Sequence, residues 1–172
     1  MNERSMSRSA RRLREQFDAS FAHPPAERAE QSESMLFVRA RQSRLALRTG
    51  QVAKLLRTPA VTRLPTPMSA LRGLAVVSGR LIALYDLGAL LGHPAASLLP
   101  WAVLCQAESQ VALGFDELDG YRDVPSRYVL AANSAVRPWL TAQVELSGDR
   151  RDVVDIGAVL QMIQAGVSPR EV

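Results

Sequence analysis

A chain of 172 residues, 47% hydrophobic and 22% charged, is long enough for one domain or two small subdomains sharing a core, and too apolar to stay disordered. Its net charge is +4, with Lys54 the only lysine among 21 basic residues, and its single Cys105 excludes an internal disulfide and fits a reducing, cytoplasmic setting. No run approaches the roughly 18 uninterrupted apolar residues of a membrane-spanning helix, and no apolar core of a secretory leader follows Arg4, Arg8, Arg11, Arg12 and Arg14.

The chain opens on a helical pattern. Met6, Ala10, Leu13, Phe17 and Phe21 recur every three or four positions, and His23-Pro24-Pro25 ends the pattern. The spacing predicts an amphipathic helix and a polar linker over residues 1–34, laid against the body of the protein. From Met35 the texture turns to short strands. "MLFVRAR" and "RLALR" flank a turn at Gln42-Ser43, and "TGQVAKLL" reads as a short turn or helical piece. "AVTRLP" reads as a strand ended by Pro65 and Pro67, and "LAVV" and "RLIALYDL" as two strands joined at Ser78-Gly79. "WAVLCQ", a turn at Glu108-Ser109, "QVALGFDEL", "WLTAQVEL", a turn at Gly148-Asp149 and "DVVDIGAVLQMI" complete the series. Turn signals about every ten residues, with no long helices between strands, predict an all-β barrel or sandwich.

One phrase occurs twice. "LYDLGALLG" begins at Leu84, and "VVDIGAVLQ" follows 69 residues later at Val153. In each a strand runs into an Asp and then a short helical turn, so Asp86 and Asp155 are candidate N-caps, their carboxylates accepting from the unpaired N–H groups of the first turn. Asp116 follows a strand in the same way. The repeat predicts two similar small barrels in tandem.

Charge is divided along the chain. Residues 35–100 carry nine basic residues against Asp86 alone, and residues 101–172 carry six against ten acids. Such halves either face different partners or attract each other. The basic half has no interleaved aromatics to stack bases, so nucleic acid is not expected as a partner. Chemistry is sparse. His23 and His93 sit in loops, no nucleophile elbow or phosphate-cradling glycine loop occurs, and no Cys/His spacing suits zinc. The expectation is a binding module with no catalytic residue, no cofactor and no metal site.

The order of pieces from Phe37 to Gly92 resembles the CheW family of bacterial chemosensory adaptors. "VAKLL" at Val52–Leu56 stands for the family's V-x-E-V, "VTRLP" at Val61–Pro65 for I-x-x-L-P, and "GLAVVSGRLIALYDL" at Gly73–Leu87 for G-V-I-N-L-R-G-x-V-x-P-V-x-D-L. "VALGFDELDG" at Val111–Gly120 and the closing "VVDIGAVL" extend the resemblance to about residues 35–163. It implies a CheW-like domain over 35–172, built of two tandem five-stranded SH3-like barrels near 35–92 and 93–172. It implies a non-catalytic adaptor whose partners are the regulatory domain of a CheA-type histidine kinase and the cytoplasmic tip of a chemoreceptor, at arrays on the membrane without insertion into it. The receptor groove would take in Val52, Lys54, Gly73, Val76, Ser78 and Gly79. Lys54 replaces the family's Glu, Val76 its Asn, Ser78 its Arg and Ala83 its Pro, which predicts a dedicated partner of altered charge. A basic nucleic-acid-binding or ribosome-associated SH3-like protein is the alternative.

Overall fold

The computed structural model describes residues 31–108, 110–133, 135 and 137–166, so the expected N-terminal helix lies outside the described residues. The chain order is β1 (Ser32–Ala40), β2 (Ser43–Arg48), a 3-10 turn (Thr49–Gln51), β3 (Val52–Arg57), β4 (Leu71–Val77), β5 (Arg80–Asp86), helix α1 (Leu87–Leu90) and β6 (Trp101–Cys105). There follow β7 (Val111–Phe115), β8 (Glu117–Pro125), a second 3-10 turn (Ser126–Tyr128), β9 (Val129–Ala131), β10 (Leu140–Leu146), β11 (Asp149–Val154) and helix α2 (Ile156–Gln164).

These strands form two sheets. One has six strands in the order β8-β1-β2-β11-β10-β9, the other five in the order β3-β6-β7-β5-β4. All-β architecture is as expected, but the sorting of strands is not. β1 and β2 sit with β8 to β11, while the five-stranded sheet is one continuous stretch, Val52–Phe115, inserted between them. The division at residue 92 into two tandem five-stranded barrels is therefore corrected: one sheet is nested within the chain of the other, and its partner has six strands. Parallel pairings of β2 with β11 and of β5 with β7 do the weaving. Both sheets curl towards closure. The edges β8 and β9 are joined directly by the Ser126–Tyr128 turn, and the edge β4 bonds through Leu74 to Thr62, on the chain leaving β3. Thr62 is all that pairs of the strand expected at "AVTRLP"; Pro59 and Pro65 bracket it, and proline gives no ladder donor.

Three apolar clusters explain the unbroken runs "MLFV" and "WAVLC". Met35 and Phe37 of β1 point into the six-stranded sheet with Ala46, Val144 and Val153. Leu36, Val38 and Ala40, one residue out of phase, point the other way, into a larger cluster shared with Val103, Phe115, Leu90 and Ile156. On the five-stranded sheet Ala102 and Ala112 face its interior with Ile82 and Leu84, while Val103 and Leu113 face the shared cluster. A strand buried on both faces has no polar phase to show.

The repeated phrase is a real structural repeat at the level of hairpin and helix. Ser78-Gly79 (φ 51° and 75°) and Ser147-Gly148 (φ 51° and 82°) each make a two-residue hairpin turn with both residues left-handed, the geometry that follows strand twist. Eight residues after each serine comes the Asp, then a helix. The second turn thus lies one residue before the expected Gly148-Asp149, and the first hairpin turns at Arg41-Gln42 instead of Gln42-Ser43, with Arg41 at φ 57°.

Candidate functional site

The junction between the sheets is held by two side chains that sequence reading did not single out. Arg41, at the tip of the β1–β2 hairpin, lays its guanidinium between Asp86 and Asp116, Nη2 to Asp86 Oδ2 at 2.5 Å and Nη1 to Asp116 Oδ2 at 2.7 Å. Its Nε donates to the Pro94 carbonyl at 3.0 Å, and its own backbone N–H to Asp116. Asp86 is wholly buried and also accepts from Ala89 N at 3.1 Å and Ala96 N at 2.8 Å. It is the expected N-cap and, beyond that, the counter-ion of a half-enclosed arginine. Asp116, set beside the caps by its place after a strand, caps no helix; it serves Arg41.

Asp155 is held by a neutral counterpart. Its Oδ1 accepts from Gly157 N at 2.9 Å, as a cap should, and from Gln51 Nε2 at 2.8 Å, while Gln51 Oε1 accepts from Ile156 N. Gln51 comes from the 3-10 turn that links the two sheets. So each capped helix is tied to a residue from the start of the chain, by charge in one case and by an amide in the other. "ARQSR" and "TGQV" carry no pattern that marks Arg41 or Gln51 in advance.

The basic segment spends much of its charge internally. Arg39 meets Glu117 and Asp119, each at 3.1 Å, Arg44 meets Asp149 at 3.0 Å, and Arg48 meets Glu33 at 2.8 Å. Burial works against the charged form of Asp149, but hydrogen bonds from Arg151 and Arg44 outweigh it and hold the carboxyl below its usual range. Mutual attraction of the two halves is thus part of the fold.

The six expected groove residues lie at separate places on the five-stranded sheet. Val52 opens β3, half-buried against the shared core, and Lys54 is exposed two residues on. Gly73 is buried on β4 at φ 135°, where a Cβ would stand 2.1 Å from the Thr62 carbonyl oxygen. It is there to let the closing bridge form. Val76 is 63% exposed and, with Leu81 at 57%, rims an open apolar cleft of about 500 Å³ that reaches Pro59, Thr62 and Leu74. Ser78 and Gly79 make the exposed hairpin turn beyond it. Of the six, the cleft takes in Val76 alone.

Cys105 is fully buried in the shared core, and burial, helped by Glu108, pushes its thiol up to about 12. His93 bonds the Ser43 hydroxyl at 2.8 Å. Among the described residues no cluster of His, Cys, Asp and Glu has the makings of a metal site, and no helix is long and apolar enough to cross a membrane.

A family model described as the CheW-like domain matches residues 34–164. Among solved structures, the crystal structure of scaffolding protein TtCheW from Thermoanaerobacter tengcongensis superposes with a TM-score of 0.65, covering 73% of this chain and 90% of that one. Identity is 9%, so that likeness speaks for the fold. A comparison with curated proteins found no match. The family match spans β1 to the end of α2, that is, both sheets and both capped helices. The chain belongs to the CheW-like domain family, a family of chemotaxis scaffolds and adaptors.

Proposed function

We propose that this protein is a non-catalytic adaptor that joins the cytoplasmic tip of a chemoreceptor to the regulatory domain of a CheA-type histidine kinase. The observation that carries the reading is the family match across the whole nested double sheet, residues 34–164. The exposed apolar cleft at Val76 and Leu81 supports it as a surface for association. The nucleic-acid reading rested on the basic segment, whose arginines 39, 41, 44 and 48 face acids of this same chain. Adaptor work of this kind takes place in the cytoplasm beside membrane-borne receptors.

Calorimetry against the regulatory domains of kinases encoded beside this gene tests the proposal. The expected outcome is a 1:1 complex of roughly micromolar affinity; a folded protein giving no heat with any of them overturns it. The receptor arm is tested through Lys54, exposed on β3. Lys54→Glu should tighten binding to a standard receptor hairpin and weaken binding to the cognate one, since such charges set partner choice. The same affinity for both, within twofold, would remove Lys54 from partner selection.

A further inference from the structure

Beside the loop that follows α1, whose Ser97 and Leu98 also border the Arg41 junction, lies a second cleft. It measures about 280 Å³ and is formed by the segment leaving β3, the start of β4 and the loop ahead of β6. Arg63 and Arg72 stand on its lining, and among the described residues no acid does. Leu84 and Leu99, both buried, with Leu98 at the exposed rim, supply apolar wall. Thr58 lines it too, and its hydroxyl is the one buried side-chain oxygen or nitrogen among the described residues without a hydrogen-bond partner. Buried hydroxyls are ordinarily bonded, so this one marks the wall as incompletely satisfied.

The walls of the cleft are fixed by backbone bonds and packing. Thr58 N donates to the Pro100 carbonyl at 3.1 Å, fixing the β3 exit against the β6 loop. Thr62 and Leu74 exchange both backbone bonds, at 2.8 and 2.9 Å, fixing the other wall. Leu99 is lodged against Gly114, where an added Cβ would lie 2.9 Å from its Cδ1. Arg72 Nη2 reaches the Ser97 carbonyl at 3.4 Å, a bond long enough to yield to a stronger acceptor. A preformed cleft lined by two arginines and three leucines suits a ligand that is anionic at one end and apolar at the other.

We propose that this cleft binds a small organic carboxylate carrying a short aliphatic chain. Arg72 and Arg63 would grip the carboxylate, for which the planar guanidinium fork is the fitted donor. The leucine wall would cover the aliphatic part. The volume sits at the lower edge of ordinary ligand pockets and sets the size at a few carbons. Such a ligand would load a surface next to the apolar cleft at Val76, with which it shares Pro59.

The test is a two-dimensional amide NMR titration of the full chain with sodium butyrate, butyramide and inorganic phosphate, each at constant ionic strength. Saturable shifts at Thr58, Arg72, Ser97 and Leu98 with butyrate, and at least tenfold weaker binding of the other two, are expected. Arg72→Gln should weaken butyrate about tenfold, and Arg63→Gln several-fold, with each variant's thermal melt compared with the parent's. Absence of saturable shifts at these residues, butyramide or phosphate binding as well as butyrate, or unchanged affinity in both variants with parental melts would each overturn the proposal. None of these readouts involves the kinase or the receptor.

Discussion

Asp86 and Asp155 look alike in sequence and differ in what their loss removes. Asp155→Ala deletes a cap and a bond to a neutral amide, and should cost about 1 kcal/mol. Asp86→Ala also strands the Arg41 guanidinium in a half-enclosed site and leaves Ala96 N without its acceptor. Removing one partner of a buried pair costs about 3–5 kcal/mol, and since Arg41 keeps Asp116 the expected loss is about 3 kcal/mol, the lower end of that range. Urea unfolding of the two variants measures the gap; equal losses would mean that Arg41 contributes nothing through Asp86. The cap role of both was legible, because strand, Asp, Gly, Ala and an aliphatic pair form a local pattern. The Arg41 contact was not, because its partners lie 45 and 75 residues away and nothing local requires them.

Two glycines separate backbone strain from close approach. Gly73 and Gly120 share an unusual φ, 135° and 136°, and each sits where its strand's register slips against a neighbour. At Gly120 an added Cβ meets nothing within 4 Å, whereas at Gly73 it meets the Thr62 carbonyl at 2.1 Å. Gly120→Ala should therefore cost only strain, about 1–3 kcal/mol. Gly73→Ala should cost that and the Thr62–Leu74 bridge as well, with the amides of Thr62 and Leu74 losing protection in hydrogen exchange. Equal stabilities, or retained protection in Gly73→Ala, would show that the bridge is not what closes this sheet. At this scale most strands were legible from alternation and turn residues. The segment "AVTRLP" was misjudged because its apolar and β-branched residues suit a strand, while its prolines confine pairing to Thr62. The candidate groove came only from resemblance, and its residues lie at separate places with different surroundings: Gly73 serves closure, Val76 is open surface.

For the whole molecule, period-two patterning says which face of a strand is buried but not which strand lies beside it. The internal repeat invited a cut at residue 92, and the hairpin–Asp–helix unit does repeat. Sheet membership follows instead from the parallel pairings β2–β11 and β5–β7, contacts far apart in sequence that leave no local trace. The nesting predicts that fragments 35–92 and 93–172 will each lack a cooperative thermal transition, and that mixing them will restore one. Circular dichroism melts decide this; a sharp transition in fragment 35–92 alone would contradict the shared core, whose residues Leu36, Val38, Val103 and Phe115 come from both fragments.

The nesting also sets an order on the growing polypeptide at the ribosome. The β1–β2 hairpin leaves the tunnel early, but its parallel neighbour β11 ends only at Val154. At about 5–20 residues per second, translation takes on the order of ten seconds to cover that interval. Within it β1 can pair with β2 and then with β8, but Met35 and Phe37 still lack Val144 and Val153 of β10 and β11. Meanwhile Val52–Phe115 emerges as a continuous stretch holding all five strands of its own sheet. The inserted sheet thus has all its strands first, and the six-stranded sheet is completed only when β9 to β11 arrive.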